Sequence, residues 1–392
     1  MSQILIAAIV TVFIAIYTII NFYVGIRLWL FVSAIIPFFE SVLYWMIFWI
    51  IAYTYVISRV FNKIFPSITV RRAKKVGAYW LALLFYFMIS FAVIDLTVFL
   101  VNFFRPGFSV WDNELFLFWF GAIFLVFITV IIIKGYKNAS EIEVINYSIA
   151  IPKKNIDYDK LNIVAISDLH LGTIVDNRLL QKFVDEVNRL EPDIVVILGD
   201  IVDEDVRPFI QLKMEDTLAK ISPKIGSFAV LGNHDYFGGG HKQIAESLER
   251  ANIKVLVDEH VTVLDNFVIA GRMDPAGAKY CGKDQIPLNT WMKDVDFSNP
   301  VALLTHQPTK FDEAIQIGVD LQLSGHTHRG QLFPNNFLTK IAFENHWGQY
   351  SKGEFTSIVT AGAGTWGPPI RTGHKSEIVQ ITLNIKKEGE EK

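Results

Sequence analysis

Five short apolar runs in the C-terminal half end on residues that bind metals or move protons. LNIVAIS leads into Asp168-Leu169-His170, DIVVIL into Gly199-Asp200, and SFAVL into Gly232-Asn233-His234-Asp235. Further on, VALLT leads into His306 and DLQLS into Gly325-His326-Thr327-His328. Each run has the length of a buried strand, and most are rich in aliphatic residues. Ligands in α/β architectures gather beyond the carboxyl ends of strands. Asp168, His170, Asp200, Asn233, His306, His326 and His328 are therefore expected on one rim. They offer carboxylate, amide and imidazole donors. That mixture suits borderline divalent ions such as Mn²⁺, Fe²⁺ or Zn²⁺, and is too rich in nitrogen for Ca²⁺ or a simple Mg²⁺ site. A glycine precedes each of Asp200, Asn233 and His326, where a missing Cβ lets the backbone turn sharply and approach an ion.

A lone Asp-x-His or Gly-Asn-His carries little weight, and a buried histidine is more often a satisfied core residue than a ligand. Here five of the nine histidines fall in these clusters, so packing is a poor account of them. Buried polar side chains in that number, without a cation among them, would carry a heavy desolvation cost. Between the runs lie stretches with helical periodicity, NRLLQKFVDEVNRL and HKQIAESLERA. The alternation in EIEVINYSIAI predicts a further strand.

Upstream the composition changes. Hydrophobic residues make up 52% of the 392-residue chain, and most of the excess of Phe and Trp lies before residue 135. Four apolar stretches, roughly residues 4–26, 35–60, 76–103 and 115–133, are each about long enough to cross a ~30 Å hydrocarbon core. A soluble bundle would need a polar stripe on each helix, and these have almost none. A cleaved signal peptide would explain only the first, which lacks a charged start and a small-residue cleavage site. Arg59, Arg71, Arg72, Lys74 and Lys75 crowd the second loop, and Lys134 and Lys137 follow the fourth stretch. The positive-inside rule places that loop, both termini and the C-terminal domain in the cytoplasm. Arg27, in the expected first loop, runs against this. Glu40 and Asp95 fall within spans, as a polar pocket for a headgroup or ion, or as interfacial and helix-pairing groups. The expected domains are 1–140, a four-helix transmembrane bundle, and 141–392, an α/β domain. No Gly/Ser-rich or Pro-rich linker joins them. A net charge of −3 argues against a nucleic-acid partner. Cys281 is the one cysteine, so no intrachain disulfide forms.

The ordered series SDLH, GD, GNHD, TH and GHTH resembles the calcineurin-like metallophosphoesterase superfamily over about residues 155–385. GHTHRGQLFP, WGQYSKG and GAGTWGPPIRTGHKSEIVQITL are similar to its bacterial membrane-associated branch, which carries N-terminal transmembrane segments. The resemblance implies a two-sheet β-sandwich flanked by helices and two divalent metal ions, Mn²⁺ first and Fe²⁺ or Zn²⁺ next. It implies hydrolysis of a phosphodiester, pyrophosphate or phosphomonoester by a metal-bridging hydroxide, in a bacterial cell membrane. By the same pattern Asp168, His170 and His328 hold one metal, Asn233, His306 and His326 the other, and Asp200 bridges them. His234 would be the acid facing the leaving group. Asp203 matches the second aspartate of a Gly-Asp-x-x-Asp pattern and would orient His234, or else sit solvated beside Glu204 and Asp205. Protein Ser/Thr phosphatases of the superfamily place an arginine after that aspartate, where this chain has Glu204. Arg329 and Arg371 are the replacements for gripping phosphate. Arg371 is preferred because Gly and Pro around it suggest a fixed loop, with a structural bridge to Glu377 as its alternative.

The membrane half directs the substrate expectation to membrane lipids: a phospholipid, a lipid-linked sugar diphosphate or an isoprenoid phosphate. Leu332, Phe333, Phe337, Leu338, Ile341, Phe343 and Trp347 form an apolar-rich insertion. It either dips into the interface and admits an acyl chain or roofs the domain as a local cluster. The rival readings are an anchored enzyme for soluble phosphodiesters, a membrane sensor or carrier with a phosphoesterase output, and an inactive scaffold. The complete ligand set speaks against the last.

Overall fold

The computed structural model describes residues 3–64, 68–151, 158 and 160–385. It divides into two compact units, Met1–Lys134 and Gly135–Lys392.

The first unit holds α1 (Gln3–Ile35), α2 (Ser41–Ile64), α3 (Ile68–Phe104) and most of α4 (Glu114–Ser140). Each contains a stretch long and apolar enough to cross a membrane: Ala7–Ile35, Ser41–Phe61, Thr69–Phe104 and Glu114–Ser140. Phe13, Val42, Phe99 and Leu125 point outward, as expected where lipid is the solvent. Inside, aromatic rings interlock: Phe31 stacks on Phe91 and Phe120, and Trp80 meets Phe48 edge-on.

Arg27 does not lie in a loop. It sits within α1, and its guanidinium donates to both oxygens of Asp95 on α3, at 2.8 and 2.9 Å. Tyr23 Oη and Trp111 Nε1 donate to the same carboxylate at 2.6 and 2.9 Å, and Arg27 lies 4.2 Å from the Trp111 ring centre. A charge held by this many donors is a packing device. Glu40 lies just before α2, in the connection from α1. Arg27→Met and Asp95→Leu are each expected to destabilise the detergent-solubilised protein. The double variant should recover part of the loss, with a coupling of about 0.5–3 kcal/mol in a thermal-unfolding double-mutant cycle.

The second unit is a sandwich of two six-stranded sheets. Its first strands are β1 (Ile142–Ile151), β2 (Lys160–Ile166), β3 (Ile194–Leu198), β4 (Gly226–Val230), β5 (Ile253–Val255) and β6 (Glu259–Val263). Then come β7 (Phe267–Gly271), β8 (Val301–Leu304), β9 (Leu321–Ser324), β10 (Gly348–Lys352), β11 (Phe355–Val359) and β12 (Ser376–Ile385). The orders are β1-β12-β2-β3-β4-β5 and β10-β11-β9-β8-β7-β6. β2 to β5 run parallel, as do β7, β8, β9 and β11. β12 lies between β1, parallel to it, and β2, antiparallel to it.

Both faces of the central strands are buried, which is why they read as unbroken apolar runs. Ile163, Val196 and Phe228 meet Ile269, Leu304 and Leu323 between the sheets. Val164, Val195 and Ile197 face outward onto Phe183 and Val187 of the helix Asn177–Arg189. On the far side Val268 and Leu303 pack with Met292 and Phe311.

The end of α4, from Gly135, belongs to this second compact unit rather than to the bundle. The reason is hydrogen bonding. Gly135 O accepts from Arg371 N at 2.9 Å, Asn138 Nδ2 donates to Arg371 O at 3.0 Å, and Ser376 Oγ donates to Ala139 O at 3.0 Å.

Candidate metal centre

β2, β3 and β4 of one sheet and β8 and β9 of the other end at a common edge, and the expected ligands follow those ends. Sharp backbone turns aim them. Asp168, His170, Asp200, His326 and His328 have φ of 53°, 46°, 50°, 72° and 47°. This left-handed region costs a non-glycine residue about 1–3 kcal/mol and persists where the surroundings dictate it. Gly199, at φ 85°, must remain bare, because a Cβ there would lie 2.6 Å from His306 Nδ1.

The side chains form two adjoining clusters. His170 Nε2 and His328 Nε2 approach to 3.0 Å, and His328 Nε2 lies 3.4 Å from Asp168 Oδ1. In the second, His306 Nε2 lies 3.1 Å from Asn233 Oδ1 and 3.2 Å from His326 Nδ1. Asp200 Oδ2 stands between them, 3.2 Å from His306 Nε2 and 3.8 Å from His170 Nε2. All seven expected ligands are thus brought together. His306 Nδ1 lies 2.7 Å from Leu198 O, which fixes its ring and turns Nε2 to the cluster.

This donor set fits divalent cations. His170 Nε2 and His328 Nε2 converge beside a buried carboxylate, and the buried Nδ1 atoms of both rings have no hydrogen-bond partner among the described residues. Burial depresses His170 to about 4 and His326 to about 3, so both are neutral ligands. His306 differs: burial would lower it, but Asp200 outweighs burial and raises it to about 10. The direction of this shift favours a protonated His306, and an ion bound there would have to displace that proton. Burial pushes Asp168 up to about 6, and the charge of Asp200 adds to the shift.

Arg371, expected to grip phosphate, turns its guanidinium to loop carbonyls. It is fully buried, and its guanidinium donates to the carbonyls of Ala361, Gly362 and Gly364 at 2.9, 2.9 and 3.2 Å. Gly364 N in turn donates to Asp168 O at 3.0 Å. Arg371 therefore braces the loop behind Asp168, and it reaches carbonyls rather than Glu377 by hydrogen bond. Asp203 lies beside the ring it was expected to orient: its carboxylate groups with His170 and His234. Glu204 Oε1 also stands 3.5 Å from His234 Nδ1. Burial alone would lower the pKa of His234; Glu204 and Asp200 outweigh it and raise the pKa above the usual range.

Other residues matter that the motif reading passed over. Asp235 accepts from Ile201 N, Val202 N and Gly232 N at 3.0, 2.9 and 2.8 Å, tying the loop after β3 to the loop after β4. Its signal was present in GNHD. Ser167 Oγ donates to Asp168 Oδ2. Trp366 and Phe237 flank the His234 ring at 5.4 and 5.8 Å, and nothing in the spacing announced that.

Residues 161–330 match the family model for calcineurin-like phosphoesterases. The chain is 34% identical over 253 residues to a metallophosphoesterase of Aquifex aeolicus, covering 61% of this chain and 94% of that protein. It is 36% identical over 256 residues to a metallophosphoesterase of Campylobacter jejuni, covering 62% of this chain and 64% of that one. It is 32% identical over 271 residues to a zebrafish (Danio rerio) "transmembrane protein with metallophosphoesterase domain", covering 66% of this chain and 61% of the relative. The chain thus spans less than two thirds of the length of the last two. It belongs to the calcineurin-like metallophosphoesterase family, whose members use a divalent metal pair.

Metal uptake is expected to release about one proton from His306, so affinity should rise with pH, up to tenfold per unit, and level off near the folded-state value of about 10. Calorimetric titration with Mn²⁺ in buffers of different ionisation enthalpy measures this. Arg371→Met should lower unfolding stability by more than about 3 kcal/mol, because it orphans buried carbonyls. KM of the surviving folded protein should change little.

Proposed function

We propose that this protein is a membrane-anchored phosphoesterase acting on a phosphodiester or pyrophosphate in a lipid or lipid-linked substrate, with its catalytic unit on the cytoplasmic side. The observation that carries the reading is Asp200 Oδ2 standing between two imidazole clusters, 3.2 and 3.8 Å from a histidine of each. The four apolar spans and the basic residues after the second favour the lipid and orientation parts.

Asp168, His170 and His328 would hold one divalent ion, Mn²⁺ by preference, Asn233, His306 and His326 the other, with Asp200 shared. Bound there, the ions supply Lewis acidity toward phosphoryl oxygens and lower the pKa of water. The rest is done by the chain. His234 Nδ1 faces Glu204, which favours the protonated ring and leaves Nε2 to give its proton to the departing oxygen. Asp200 Oδ1 accepts from His234 N at 2.9 Å, fixing the acid against the centre. Trp366 and Phe237 restrict the ring and keep water from its faces.

Full-length protein in detergent with Mn²⁺ is expected to hydrolyse bis-p-nitrophenyl phosphate. Asp200→Ala should abolish turnover, and His234→Ala should reduce it about 10²–10⁴-fold. A folded, metal-loaded protein that turns over neither this diester nor a long-chain lipid pyrophosphate would refute the proposal. A higher kcat/KM for the lipid than for its free headgroup would support the lipid assignment.

A further inference from the structure

The helix Asn335–Ala342 follows closely on the last metal motif and has no buried residue. Phe337, Leu338 and Ile341 are 56%, 64% and 83% exposed, and Phe333, just before the helix, is 51% exposed. Helical spacing puts the first three on one stripe. The rings of Phe333 and Phe337 meet each other at 5.9 Å instead of turning into a core. Other exposed apolar residues described in this unit, such as Ile210, Val257 and Ile286, are scattered along the sequence. The roof expected as one alternative for this insertion is thus not formed by these four residues.

The stripe is rigidly mounted. Leu332 beneath it is buried, Phe333 N donates to Thr372 Oγ1 at 2.8 Å, and Phe343 packs against the His326 ring at 5.8 Å. Gln331 Nε2 donates to the carbonyls of Trp366 and Pro368, both at 3.0 Å, and Trp366 stands beside His234. The stripe and the mouth of the metal centre therefore share one frame. Two cationic groups accompany it. Lys340 is exposed on the helix, and Arg329 stacks on Trp347 at 3.4 Å.

We propose that this apolar stripe inserts into the headgroup–acyl boundary of a bilayer carrying anionic lipid. The occupant follows from the chain itself. Four segments are long and apolar enough to span a membrane, and the second unit begins at Gly135 within α4, with no linker between. Large apolar residues on one face with cations beside them are the composition of an interfacial helix. The proposal holds whether or not the substrate is a lipid.

The test uses full-length protein with Cys281→Ser, plus Ile341→Cys or, as a control on the exposed face of another helix, Glu246→Cys. Each is labelled with an environment-sensitive fluorophore and reconstituted into phosphatidylcholine–phosphatidylglycerol vesicles. The label at 341 should be blue-shifted and quenched several-fold more by spin-labelled lipid than the label at 246. Phe337→Ser with Leu338→Ser should remove the difference. Equal quenching at the two positions overturns the proposal. So does a 341 label that is shielded yet unquenched, which would mean that protein, such as a second copy, covers the stripe. Hydrolysis of the soluble diester in the same vesicles tests the phosphoesterase reading separately.

Discussion

The carboxylate of Asp200 is the point on which the rest of the second unit converges. Almost wholly buried, it holds one oxygen between imidazoles from two clusters and gives the other to the backbone of His234. Its charge keeps a proton on His306 and raises the pKa values of Asp168 and Asp235 nearby. No single sheet supplies these groups. β3 and β4 bring Asp200, Asn233 and His234, while β8 and β9 bring His306, His326 and His328. Face-to-face sheets stand about 10 Å apart, a spacing set by the side chains between them. The inter-sheet core of Val196, Phe228, Ile269, Leu304 and Leu323 therefore sets the reach between the side chains of the two sheets that meet in each cluster.

The backbone tension at the strand ends belongs to the same design. Five of the candidate ligand positions adopt left-handed geometry, which isolated side chains of these types avoid. Asp235 clasps the turns after β3 and β4, and Arg371 clasps the loop behind Asp168. Rigid ligands of this kind undergo little reorganisation when a cation arrives.

Much of this was legible in the sequence, because strand-end motifs and unbroken apolar runs are local signals. The four spans and the rim of strand-end residues follow from them, and the two-sheet sandwich from the resemblance those motifs carry. Three points were not legible, each for a physical reason. A Gly/Pro-rich loop tells that Arg371 is fixed but not whether its guanidinium faces the centre or the loop carbonyls. The approach of Glu204 Oε1 to His234 Nδ1, at 3.5 Å, was hidden because spacing does not tell apart the adjacent carboxylates of Asp203, Glu204 and Asp205. Arg27 looked like a loop residue because its partner Asp95 lies 68 residues away. Once paired, it continues α1 to Ile35.

The place of β12 in the first sheet has a consequence for how the protein is made. Ser376–Ile385 fills the gap between β1 and β2, pairing with ten residues of the former and six of the latter. Until that segment emerges from the ribosome, β1 has no neighbour and β2 shows an open edge. The four membrane helices are translated long before, so a nascent chain waits at the membrane with an incomplete sheet. Unpaired edges in that interval invite wrong partners. A chain translated only as far as β11 is therefore more open to misassociation than one in which β12 has paired.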